Sequence, residues 1–111
     1  MKRNSVVFTR AQRITLKKDF SQVLSAGVRR TSGPLLIHTM ENTLGYPRLG
    51  LSVPRRVGTA VRRNQIKRRC REAFRHIQEE LSGVDIVLTV RPHIALSTQE
   101  YASLMSKGIV T

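Results

Sequence analysis

A chain of 111 residues has room for one domain with a single modest core, and too little for two. Twenty Lys and Arg against seven Asp and Glu leave a net charge of +13 and a pI near 11.6, a self-repulsion that a polyanion relieves. Apolar residues still make up 40% of the chain, which excludes the composition of a disordered basic tail. Nucleic acid is the first candidate partner and an anionic membrane the second, but no apolar run approaches the roughly 20 residues of a spanning helix. The basic N-terminal residues precede no apolar segment of signal-peptide length, and the one cysteine, Cys70, allows no intrachain disulfide. The single cysteine suits a reducing cytoplasm. Zinc is disfavoured, since Cys70 has no second thiol and His38, His76 and His93 lack ligand spacing.

Taken in order, residues 1–12 are basic and without pattern, and are expected to form a partly ordered arm of the one domain spanning 1–111. From Lys17 to Ala26 the spacing of Phe20, Val23 and Leu24 predicts a short helix, stopped by Gly27. Val28 to Gly33, with Arg29 and Arg30, reads as a loop. Leu35 to Met40 is a predicted strand. A turn over Asn42 to Pro47 leads into another at Arg48 to Val53, where Leu49, Leu51 and Val53 alternate with Arg48, Gly50 and Ser52. Thr59 is a candidate N-cap for a main helix running to Leu81 and closed by Ser82-Gly83. Val84 to Val90 predicts a third strand, broken by Arg91-Pro92. Ser97-Thr98-Gln99-Glu100 has the form of a capping box, with Tyr101, Leu104 and Met105 on one face of a last helix. This order is α+β, with a parallel strand pair expected across the main helix.

From Arg55 to Arg75 the chain carries nine basic residues and one acid. At 100° per residue, Ile66, Cys70, Ala73, Phe74, Ile77 and Leu81 fall within an arc of roughly 100°. Arg63, Asn64, Lys67, Arg68, Arg71 and Arg75 fill the adjoining arc, while Arg62 and Arg69 flank the other side of the stripe. A merely solvated face mixes signs, whereas this band sets like charges at i, i+4, each spacing mildly destabilising when unpaired. Arginine dominates, and its planar fork suits phosphate and base stacking. The band is therefore expected to face nucleic acid.

Other residues carry less. Cys70 lies in the apolar stripe and reads as core. Phe20 suits either a core anchor or a stacking platform, and on the residues alone the core reading is favoured. His38 reads as a sheet-face residue and Tyr101 as packing of the last helix. Three Phe, two Tyr and no Trp do not support extensive base stacking. The acids Asp19, Glu41, Glu72, Glu79, Glu80, Asp85 and Glu100 form no evident metal-binding pair on one element, and there is no glycine-rich phosphate loop or nucleophile elbow. The residues point to binding rather than catalysis.

Gly58-Thr59-Ala60-Val61-Arg62-Arg63-Asn64-Gln65-Ile66-Lys67-Arg68-Arg69-Cys70-Arg71-Glu72-Ala73-Phe74 closely resembles the bacterial ribonuclease P protein subunit, whose hallmark is G-x-A-V-x-R-N-x-x-K-R-x-x-R-x-x-F. Every fixed position is matched. The likeness extends through Arg48-Leu49-Gly50-Leu51-Ser52-Val53 and back to Leu16-Lys17-Lys18-Asp19-Phe20, covering most of residues 13–107. The resemblance implies a small α/β sandwich with a central sheet, a long basic helix and a left-handed strand–helix–strand crossover, a hand that the general rule disfavours. It implies an endoribonuclease subunit without catalytic residues of its own. It further implies a partner RNA that uses Mg2+ to remove the 5′ leader from precursor tRNA.

Carried over by position, Arg63, Asn64, Lys67, Arg68 and Arg71 are expected to contact ribonuclease P RNA. Lys17, Phe20, Leu24, Leu36 and His38 are expected to line a leader-binding cleft. Leu24 and His38 stand where members often carry aromatics, so a less stacked leader contact is expected. No metal site on the chain, no membrane and no obligate protein partner are expected. The alternatives are a ribosomal or other structural RNA-binding protein of similar fold and an autonomous nuclease. The helix motif argues against the first and the scattered acids against the second.

Overall fold

The apolar alternations become a four-stranded sheet with helices on both faces. The computed structural model describes residues 10–109, in the order α1 (Lys17–Ala26), β1 (Val28–Ser32), β2 (Leu35–Glu41), β3 (Arg48–Ser52), α2 (Ala60–Ile77), β4 (Val84–Val90) and α3 (Thr98–Gly108). The strand order is β1-β2-β4-β3, with β2 antiparallel to both β1 and β4, and β3 parallel to β4. The expected parallel pair across the main helix is thus present. β4 is central and buried on both faces except at Thr89.

The two faces are unequal. On one, Leu35, Ile37, Leu49, Val84, Ile86, Leu88 and Val90 meet Ile66, Cys70, Ala73, Phe74 and Ile77 of α2 and Tyr101 and Met105 of α3. The other carries only a small cluster, in which Val87 packs with Val23 of α1 and with Ile14, and Phe20 and Met40 sit at its margin. The caps hold as expected. Thr59 Oγ1 accepts from the Arg62 amide, and Ser97 and Glu100 form the capping box of α3.

Two expectations are corrected. Val28 to Ser32 is a strand, not a loop, paired with β2 through a tight turn in which Gly33 adopts a φ of 58°. It is an exposed edge strand carrying Arg29 and Arg30, so it lacks the apolar alternation that marks a half-buried strand. The main helix ends at Ile77 rather than Leu81. Gln78 to Glu80 form one tighter 3₁₀ turn and Leu81 is extended, so Ser82-Gly83 is not the cap. Of the proposed arm, residues 1–9 lie outside the described residues, and Arg10–Gln12 form a short 3₁₀ turn. The Gln12 side-chain amide donates to that of buried Gln78, tying this segment to the end of α2.

The apolar stripe of α1 is only partly covered: Val23 is buried, Phe20 half-buried and Leu24 40% exposed. Phe74→Ala should cost about 3–5 kcal/mol in chemical denaturation, and Leu24→Ala less than about 0.5 kcal/mol. A comparable loss for both would mean that Leu24 is part of the core.

Candidate nucleic-acid interface

Burial of its apolar stripe fixes the orientation of α2, so the cationic band stands at the open side of the sheet, towards β3. Arg63, Lys67 and Arg71 are half-buried along this flank, while Asn64 and Arg68 are exposed. Arg63 is braced by donating its Nε to the Gly58 carbonyl at 3.2 Å. Arg75 is occupied differently: it pairs with Glu72, whose carboxylate also meets His76 Nε2 at 3.1 Å. The hydrogen bond from Arg75 holds the Glu72 carboxyl below its ordinary range. Among the described residues, Lys67, Arg68 and Arg71 have no acidic partner. Burial, and then the like charge of Arg13, push the Arg71 guanidinium below its usual value. The smaller, like-charge part of this shift is one that a nearby anion would offset.

The shift occurs at a cleft of about 210 Å3 that brings Phe20 of α1 together with Lys67 and Arg71 of α2 and with Arg13 and Thr15. Its wall forms where residues 13–15 run along the outer edge of β3, with the Ile14 amide donating to the Leu49 carbonyl at 3.0 Å. Its floor is Gly50. A Cβ at that position would stand 2.7 Å from Cε2 of Phe20, so the missing side chain lets the aromatic ring lie on the strand.

The register extends this floor across the sheet. Arg29, His38, Val87 and Gly50 form one row, and Thr31, Leu36, Thr89 and Ser52 the next, all on the face that bears α1. His38 therefore lies two strands from Gly50, roughly 10 Å away. It is 7% exposed, and its Nδ1 is buried without a hydrogen-bond partner. Burial and, secondarily, Arg29 lower its pKa, which favours the neutral ring. Leu36 is half-buried beside it; Leu24 stands one turn beyond Phe20, and Lys17 is exposed in the first turn of α1. The structure thus places Phe20, Lys67 and Arg71 around one cleft, puts Leu36 and His38 further along the same sheet face, and leaves Leu24, Lys17, Asn64 and Arg68 exposed and outside the cleft lining.

Sequence reasoning missed Arg13, whose only signal was a charge in a stretch without periodicity. It also missed a polar knot on the α1 face. Arg48 Nε and Nη2 donate to the two carboxylate oxygens of Asp85 at 2.9 and 2.7 Å, and Nη1 stands 3.6 Å from Asp19. The Asp85 hydrogen bonds hold the Arg48 guanidinium above its ordinary pKa. Arg69 has a structural engagement. Its Nη1 donates to the Leu96 carbonyl at 2.7 Å, beside the Tyr101 hydroxyl, which accepts from the Leu96 amide and pairs with His93. Buried Cys70, its thiol pushed up to about 12 by desolvation, is inert packing. Among the described residues no three His, Cys, Asp or Glu side chains are placed to hold a metal ion, and no helix is long and apolar enough to cross a membrane.

A cationic helix flank that meets an aromatic-lined cleft, on a small α/β sandwich, defines a nucleic-acid-binding protein. The chain matches the family model of ribonuclease P over residues 8–109. It is 43% identical over 88 residues to the ribonuclease P protein component of Nitrosococcus oceani, covering 78% of this chain and 74% of that one. Identity to the Aliivibrio salmonicida component is 36% over 102 residues, covering 90% and 87%. Among solved structures, an RNase P protein of Staphylococcus aureus superposes with a TM-score of 0.79 at 28% identity, covering 88% of this chain and 92% of that one. The RNase P protein of Thermotoga maritima gives 0.76 at 28% identity, with 86% and 92% covered. The chain belongs to the ribonuclease P protein family: it is a subunit of the holoenzyme that processes tRNA 5′ ends and associates with ribonuclease P RNA. Family membership sets aside the ribosomal-type alternative.

Arg69→Ala should lower folding stability by roughly 1–3 kcal/mol through the lost charge-assisted hydrogen bond. The salt dependence of RNA binding should stay unchanged. A flattened salt dependence with intact stability would instead place Arg69 on the RNA.

Proposed function

We propose that this subunit divides its surface between two RNA targets. Arg63, Asn64, Lys67, Arg68 and Arg71 hold ribonuclease P RNA next to the cleavage region. The cleft lined by Phe20, with Lys17, Leu24, Leu36 and His38 along the same side, receives the single-stranded 5′ leader of precursor tRNA. The observation that carries this reading is the cleft that joins Phe20 to Lys67 and Arg71. It offers an aromatic face for a base and cations for the flanking phosphates within one space, a combination suited to single-stranded nucleic acid. A neutral His38 in the sheet floor can exchange a hydrogen bond with a base without demanding a phosphate. Mg2+ serves the RNA subunit, which performs the hydrolysis. The protein's residues bind, orient and neutralise charge, and none of them moves a proton in the reaction.

Lys67, Arg68 and Arg71 act by displacing counterions from the RNA backbone, so affinity falls steeply with salt. In holoenzyme assembly assays, Lys67→Ala and Arg68→Ala should each flatten the log–log salt slope by about one unit, whereas Lys107→Ala, exposed on α3, should not. Equal slopes for all three would remove the α2 band from the RNA interface.

Phe20→Ala should weaken precursor tRNA binding by roughly 1–3 kcal/mol and leave mature tRNA binding untouched. An equal loss for both substrates would return Phe20 to a packing role.

A further inference from the structure

α1 carries the aromatic ring of the proposed cleft, yet little apolar surface holds it to the sheet. Val23 is its one buried residue, packed with Ile14 and Val87. A single apolar pivot does not by itself set the direction of a ten-residue helix, so the ends must be tied. At the C-terminal end the tie is the chain itself, which passes through Gly27 directly into β1 at Val28; Gly27 lies so close to β2 that a Cβ on it would stand 2.9 Å from the Thr39 carbonyl oxygen.

At the N-terminal end the tie is Arg48. Two nitrogens of its guanidinium are committed to Asp85 on β4, which is further fixed by the Asn42 side-chain amide at 2.8 Å. The third nitrogen, Nη1, is thereby pointed at Asp19 of α1, 3.6 Å away. Arg48 and Gly50 are two residues apart on one face of β3, and Asp19 and Phe20 are adjacent on α1. The polar tie and the ring-on-glycine contact thus lie side by side.

We propose that Arg48 is a positioning residue for leader binding: by holding Asp19 against the sheet, it sets where the Phe20 ring stands in the cleft. This rests on the leader reading above. An arginine is required because its fork serves two carboxylates at once, whereas a lysine ammonium is a single point of attachment.

Arg48→Ala strands the buried Asp85 carboxylate and risks unfolding, so Asp19→Asn is the sharper probe. It leaves the Arg48–Asp85 pair intact and releases only α1. In the reconstituted holoenzyme, Asp19→Asn should weaken binding of precursor tRNA about three- to tenfold, a fraction of the stacking contribution of one base. Mature tRNA binding, which also reports whether the subunit is folded and assembled, should not change. In a Phe20→Ala background Asp19→Asn should have no further effect, because the tie acts through the ring. Additive losses in this cycle, equal losses for both tRNAs, or no loss from Asp19→Asn where Phe20→Ala has one would each overturn the positioning role. Unchanged precursor binding by Phe20→Ala would overturn the leader reading and the positioning role together.

Discussion

Three like-charge pairs at i, i+4 run along α2, Arg63–Lys67, Lys67–Arg71 and Arg71–Arg75, and each opposes an isolated helix by about 0.2–0.5 kcal/mol. Against them stands the burial of Ile66, Cys70, Ala73, Phe74 and Ile77 under the sheet. Full burial of one Ile or Phe contributes about 1.5–3 kcal/mol, so the apolar stripe outweighs the repulsion several-fold before the backbone is counted. The helix therefore tolerates leaving most of its charges unneutralised, Arg75 paired with Glu72 apart. Lys67, Arg68 and Arg71 remain without acidic partners among the described residues, and the repulsion persists as an attraction for a polyanion.

The inequality of the two sheet faces follows from the same burial. The face under α2 and α3 takes most of the apolar surface, leaving α1 a cluster of three buried residues. A thinly packed helix beside an open sheet floor is where an extended ligand can lie without first displacing a core. Where a closed face would supply apolar packing, a polar tie runs from Arg48 to Asp85 and towards Asp19, two residues along β3 from the cleft floor at Gly50. Such a tie is directional in a way apolar packing is not, and it suits a surface that must be both open and fixed in shape.

What was legible in the chain, and what was not, divides by the range of the interaction. The stripe of α2, the alternation of β4 and the capping box at Ser97 and Glu100 are local patterns, and each appears where the residues place it. β1 escaped because an edge strand exposes both faces, so Arg29 and Arg30 read as loop. The end of α2 was misplaced because Leu81 still fits the apolar stripe, while the backbone after Ile77 tightens into a 3₁₀ turn and becomes extended at Leu81. Arg13, Arg48 and the engagement of Arg69 by Leu96 are products of the fold, invisible to periodicity. The family motif located the residues expected to meet RNA; only the packed structure brought Phe20 and Arg71 around one cleft.

The acids complete the argument about chemistry. Asp85 is held by Arg48 and Asn42, Asp19 faces Arg48, Glu72 pairs with Arg75 and His76, and Glu100 closes the cap of α3. Four of the chain's seven carboxylates are thus committed to holding elements in place. A carboxylate saturated by a guanidinium fork is a poor metal ligand and a poor base, since its lone pairs are already occupied and its negative charge already compensated. In so basic a protein, the few acids are used where a cation or a helix end must be fixed. Their commitment leaves Lys67, Arg68 and Arg71 of the α2 flank without an acidic partner among the described residues.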